Sequence, residues 1–149
     1  MVDNLLPGLG TDIGISAVLP TTFDTAPTTG YPSLIFLSIT DVTDIPSFGP
    51  SHDVVNHTPL KTGIVAKFHG AKNNGSMSIP VGLDPTDPGQ IAVQAALASK
   101  ARVAWALTYS DGTKDYFAGK VMSFTKSAGI GSVVSGEFLV EIETDFVSD

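Results

Sequence analysis

Apolar and polar positions alternate with a period of two along most of this chain, and turn-forming residues interrupt the pattern at short intervals. That period predicts strands rather than helices. The last third is the clearest case. Val103, Trp105, Leu107 and Tyr109 alternate with Ala104, Ala106 and Thr108, which places Trp105 in the core register. Asp111-Gly112 then supplies a tight hairpin turn, because Gly accepts the positive φ such turns need. Residues 116–125 form the return strand, with Gly119 the expected bulge. After a loop at 127–131, Val134, Gly136, Phe138, Val140 and Ile142 alternate with Ser135, Glu137, Leu139, Glu141 and Glu143. One face reads as core and the other as an acidic stripe. Upstream, residues 13–19, 34–39, 53–58 and 76–83 read as strands. So do 42–48, although Pro46 removes a ladder donor there.

Two stretches depart from this pattern. Asp87, Pro88 and Gln90 stand at the N-cap, first and third positions of a predicted helix over 87–100, an arrangement similar to a capping box. Ile91, Ala95 and Ala98 share one side of it and are its expected core face. Residues 59–76 are polar and contain Lys61, Lys67, His69 and Lys72. Loops longer than about 12–15 residues are uncommon in compact domains, so a strand over 64–68 would make this stretch a long projecting β-arm. Residues 1–12 have no period and read as an N-terminal arm. The expected fold is a single domain over 1–149, mainly β. It is either two antiparallel sheets packed face to face or a half-closed barrel, with one flanking α-helix.

Composition narrows the functional classes. The chain has 149 residues, formal net charge −7 and no cysteine, which excludes disulfide, thiolate-metal and thiol chemistry. An acidic balance argues against ordinary nucleic-acid binding. No apolar run is long enough to span a bilayer, and the first residues do not read as a signal peptide, so folding in a cytoplasm is expected. Charged residues make up only 15%, against about 25% in an average domain. Such thin cover points to surface hidden in an assembly.

Catalytic patterns are lacking: no nucleophile elbow, phosphate loop or dinucleotide fingerprint occurs. His52 and His57, five apart on a strand, fall on opposite faces, so neither a metal nor another cofactor is expected. Enzyme activity is not expected either, and Glu137, Glu141 and Glu143 read as a solvated face. Charge asymmetry carries more weight. Lys61, Lys67 and Lys72 are the only charged residues between Val54 and Leu83, a formal +3. Glu137, Glu141, Glu143, Asp145 and Asp149 give −5 over the last thirteen residues. Opposite patches on one chain suit head-to-tail self-association into rings or filaments.

A family resemblance emerges from ordered segments: 15–24 (ISAVLPTTFD), 39–45 (ITDVTDI), 57–60 (HTPL), 79–90 (IPVGLDPTDPGQ) and 116–124 (YFAGKVMSF), followed by an alternating terminal strand. In this order they resemble the tail tube protein of long-tailed bacteriophages, of the non-contractile kind, over about residues 13–146. The resemblance implies a β-sandwich subunit with one helix, forming six-membered rings that stack into a hollow tube for genome exit. It implies a virion location and, as partners, further copies of the chain together with tape measure, tail terminator and tail tip proteins. DNA would pass without specific binding, and no membrane is involved. The loop carrying Lys61, Lys67, His69 and Lys72 would contact the adjacent ring. Leu5, Leu6 and Leu9 would belong to an arm docked on a neighbouring subunit, and Glu137, Glu141 and Glu143 would face the lumen. A tube subunit of a contractile or secretion-type apparatus, and a monomeric carbohydrate-binding β-module, are the alternatives.

Overall fold

The alternating runs pair as antiparallel ladders in the computed structural model, which describes residues 8–149. The strands are β1 (Asp12–Ser16), β2 (Leu37–Ser38), β3 (Ser51–His57), β4 (Ala66–Asn73), β5 (Ser76–Gly82), β6 (Val103–Thr108), β7 (Lys114–Ser127), β8 (Ser135–Ile142) and β9 (Val147–Ser148). The helix α1 spans Pro88–Ser99, and one 3-10 turn covers Tyr31–Ser33. Seven strands form one sheet in the order β2-β1-β6-β7-β8-β5, with β9 also on β7; β3 and β4 form a separate two-stranded ribbon. Of the two expected architectures, the half-barrel is the one built.

One short segment closes that half-barrel. Leu37–Ser38 pairs with β1, and the Ile39 N–H still donates to the Ile13 carbonyl at 2.9 Å. The chain then turns at Asp41, which has a positive φ of 61°, and Val42 bridges Val81 of β5. Residues 37–43 therefore join the two edges of the sheet. The strand expected over 42–48 does not form beyond this single bridge. Pro46 lacks a donor, and the chain is needed to cross the barrel end rather than run along an edge.

Inward-facing side chains fill the barrel. Ile13, Ile15, Met77, Ile79, Val81, Trp105, Leu107, Phe117, Phe138 and Val140 are buried in one cluster. Trp105 stacks on Phe117 and Phe138, with centroids 6.3 and 5.9 Å away. Segment 17–36 covers part of the sheet's outer face, where Tyr31 stacks on Tyr116 at 5.2 Å above Ala104 and Ala106.

Helix α1 begins as expected, with the Asp87 side chain accepting from the Gln90 N–H. Its buried side is different. Gly89, Gln90, Val93 and Ala96 face inward, and Ile91 is 53% exposed. The expected face of Ile91, Ala95 and Ala98 is turned away from the core, and all three are exposed. Close backbone approach decides this, since a Cβ on Gly89 would lie 2.4 Å from the Ser38 carbonyl oxygen. Only glycine lets the first turn reach β2. Gln90 does not complete a capping box; its side chain reaches past the helix to Asp84, Gly82 and Thr40. The bulge expected at Gly119 lies instead between Val121 and Ser123. Gly119 serves close packing, as a Cβ there would stand 2.3 Å from the Glu141 carbonyl oxygen.

Candidate assembly surfaces

The ribbon of β3 and β4 is an arm. Every residue of β3 is exposed, and β4 is buried nowhere along its length. Cross-strand pairs sort its side chains onto two faces. Val55 opposite Phe68 and His57 opposite Ala66 share one face. Val54 opposite His69 and Asn56 opposite Lys67 share the other, together with His52. Val54 is 64%, Phe68 57% and Ile64 72% exposed, so apolar side chains accompany the cations that the sequence singled out. Such residues inside a polar stretch were the available signal.

The four candidate contact residues are placed differently. Lys61 lies in the turn at the arm's tip, and Lys67 and His69 lie on one face of β4. Lys72 stands at the arm's base, where its Nζ is 2.7 Å from Asp145 Oδ1. The hydrogen bond and positive charge of Lys72 hold the Asp145 carboxyl below the usual range. Part of the charge asymmetry is thus satisfied within the subunit. Leu9 is exposed and borders a cavity of about 760 Å³ with Val42, Ile45, Phe48, Leu107 and Tyr109. Leu5 and Leu6 lie outside the described residues.

A second surface is the uncovered outer face of β5, β8 and β7. Here Ser76, Ser78 and Pro80 lie opposite Glu141, Leu139 and Glu137. Thr125 pairs with Glu137 and Lys120 with Glu141 on the other side. Glu137 accepts a hydrogen bond from the Ser78 hydroxyl. Glu143 does not continue this stripe. It follows the end of β8, and its carboxylate is held by Arg102 Nε at 2.5 Å and Lys120 Nζ at 3.6 Å. The face is hydroxyl-rich, with two exposed carboxylates. Around the barrel end, the 128–134 loop adds Ile130 and Val133, both strongly exposed.

Among the described residues no group of three or more His, Cys, Asp and Glu converges as a metal site, and no helix is long and apolar enough to cross a membrane. Trp105 is fully buried, so it supplies no sugar-stacking platform. The accessible surface is 9,116 Å², against about 7,200 Å² for a compact monomer of this mass.

No family model matches the chain, and no curated protein matches it by sequence. Solved structures do match in fold. A chain of the sheath/tube terminator of the PVC extracellular contractile injection system, in its extended state, is similar at a TM-score of 0.64 and 10% identity, covering 100% of this chain and 99% of that one. The tail of an empty gene transfer agent particle, refined with C6 symmetry, is similar at 0.64 and 13% identity, covering 98% and 96%. The SPP1 tail tube is similar at 0.59 and 12% identity, covering 96% and 79%. The likeness covers at least 96% of this chain in all three, so the fold is the one that these tail and injection-system chains share.

Proposed function

We propose that this protein is a structural subunit of a phage-like tail tube, forming six-membered rings that stack into a hollow conduit for DNA. The β3–β4 arm is the observation that carries this reading. An isolated two-stranded ribbon is at best marginally stable in water, and this one exposes both faces, including Val54, Val55 and Phe68. Retaining it makes physical sense if a neighbour covers it. A heterologous contact of that kind propagates into a ring or a stack. Lys61, Lys67 and His69 are its polar contacts, Lys72 anchors its base, and Leu5, Leu6 and Leu9 form a second, N-terminal contact.

Glu137 and Glu141 line the lumen in this reading, on a face that also carries hydroxyls, Pro80, Leu139 and Lys120. Like charge keeps phosphate from adhering, whereas a basic wall would bind it through counterion release. The role involves no reaction and no cofactor. Terminator, tape measure and tail tip proteins are the expected partners, and the virion tail is the expected location. A tube within a contractile sheath is a second reading, favoured by the equal TM-score of the contractile injection system chain.

Electron microscopy of the purified protein and of tails assembled with it tests the proposal. Rings or tubes are expected for the natural chain, and folded subunits that do not polymerise for Lys61→Glu with Lys67→Glu. Tubes of normal length from the double variant would remove the arm's role. Tails lacking the protein would overturn the reading itself.

A further inference from the structure

His52 and His69 come from opposite strands of the arm, yet their imidazole rings meet edge to face with centroids 5.0 Å apart and planes at 75°. The ladder between them is irregular. From His57↔Ala66 to Val54↔His69 the register is constant, and continuing it would set His52 against Ala71. Instead His52 pairs with Lys72, because Gly70 and Ala71 together oppose Asp53. That is a β-bulge, which increases local twist and re-aims side chains. Glycine suits the crowded position, since a Cβ on Gly70 would lie 3.0 Å from the Asp53 carbonyl oxygen. The two imidazoles meet across this bulge.

We propose that His52 and His69 form a two-imidazole site for a divalent transition-metal ion on the exposed face of the arm. Neither ring has a hydrogen-bond partner among the described residues. Neutral imidazole nitrogens suit Zn²⁺, Ni²⁺ and Cu²⁺. Asp53 and Lys67 border the same hollow. Lys67 shares the histidines' face and opposes a cation there, while Lys72 is committed to Asp145. With two protein ligands rather than the four of a structural zinc site, binding is weak and reversible. The open positions go to water or to donors of another chain. This assignment stands independently of the tail-tube reading.

Titration calorimetry of the full chain with Ni²⁺ alone tests it. One ion per chain is expected. Replacing either partner (His52→Asn or His69→Asn) weakens binding by more than about tenfold, a loss of about 1.4 kcal/mol or more. His57→Asn, on the opposite face, leaves it unchanged, and Lys67→Gln tightens it severalfold. Far-UV circular dichroism identifies any variant that fails to fold. No binding by the natural chain, or an equal loss in His57→Asn, overturns the site. An unchanged affinity in either single variant shows that the rings make only an aromatic contact, and overturns it as well.

Discussion

Gln90 is 1% exposed, and both ends of its amide are engaged. Its Oε1 accepts from the Asp84 N–H at 3.0 Å, and its Nε2 donates to the carbonyls of Gly82 at 2.9 Å and Thr40 at 3.3 Å. One side chain thus ties the helix start to both strand segments that meet at the barrel's closure. Replacing it by an apolar group of similar size leaves those backbone groups unpaired, at about 1–3 kcal/mol each. Gln90→Leu is expected to destabilise the subunit by about 3 kcal/mol, lowering the urea midpoint with little change in slope. Tyrosines give a second prediction at this scale. Burial raises the pKa of Tyr31, Tyr109 and Tyr116 above the usual value, and for Tyr109 a hydrogen bond to Asp115 adds to it. A raised folded-state pKa contributes stability that is complete below the unfolded value of about 10 and is lost as pH rises toward the folded value. Absorbance at alkaline pH should therefore show tyrosine ionising together with unfolding, at a pH above that of the free phenol. Ionisation completed while the circular dichroism stays native would contradict this.

Among the elements, the helix separates what local sequence can specify from what it cannot. Asp87 and Pro88 mark its start in the sequence because capping satisfies donors within one turn. Its orientation was not legible. Ile91, Ala95 and Ala98 make a plausible apolar face by spacing alone, but Gly89 and Gln90 answer to β2 and the Asp41 corner, about fifty residues away in sequence, as well as to the end of β5. Val93→Ala is expected to cost about 2 kcal/mol through the cavity it leaves, and Ile91→Ser no more than about 0.5 kcal/mol. Thermal denaturation of the two variants checks both; a larger loss for Ile91→Ser in the isolated subunit would reverse the assignment of faces. The bulge moved for the same kind of reason. Gly119 has the right residue type, but the constraint on it is the Glu141 carbonyl across the ladder.

For the whole molecule, the subunit's charge matters through its repetition. Six copies around a bore turn Glu137 and Glu141 into twelve carboxylates if the β5-β8-β7 face lines it, as proposed. Glu137→Lys with Glu141→Lys is expected to leave tubes intact and to slow DNA release, measured by fluorescence of ejected DNA. Unchanged kinetics would place the two residues elsewhere. Glu143 is left out of this variant because its ion pairs with Arg102 and Lys120 are internal, and breaking them would confound stability with charge.

The sequence by itself determined that the chain is mainly β, the hairpin at Asp111-Gly112, the helix start, the burial of Trp105 and the inward face of β8. Each follows from steric and hydrogen-bonding preferences acting within a few residues, or from a period of two imposed by one buried face. Tertiary structure alone decided how residues 37–43 join the two sheet edges, which side of α1 is buried, how His52 comes to meet His69 and why Lys72 pairs with Asp145. Those contacts link positions far apart in the chain or depend on one ladder's register, and no local preference encodes the distance between them.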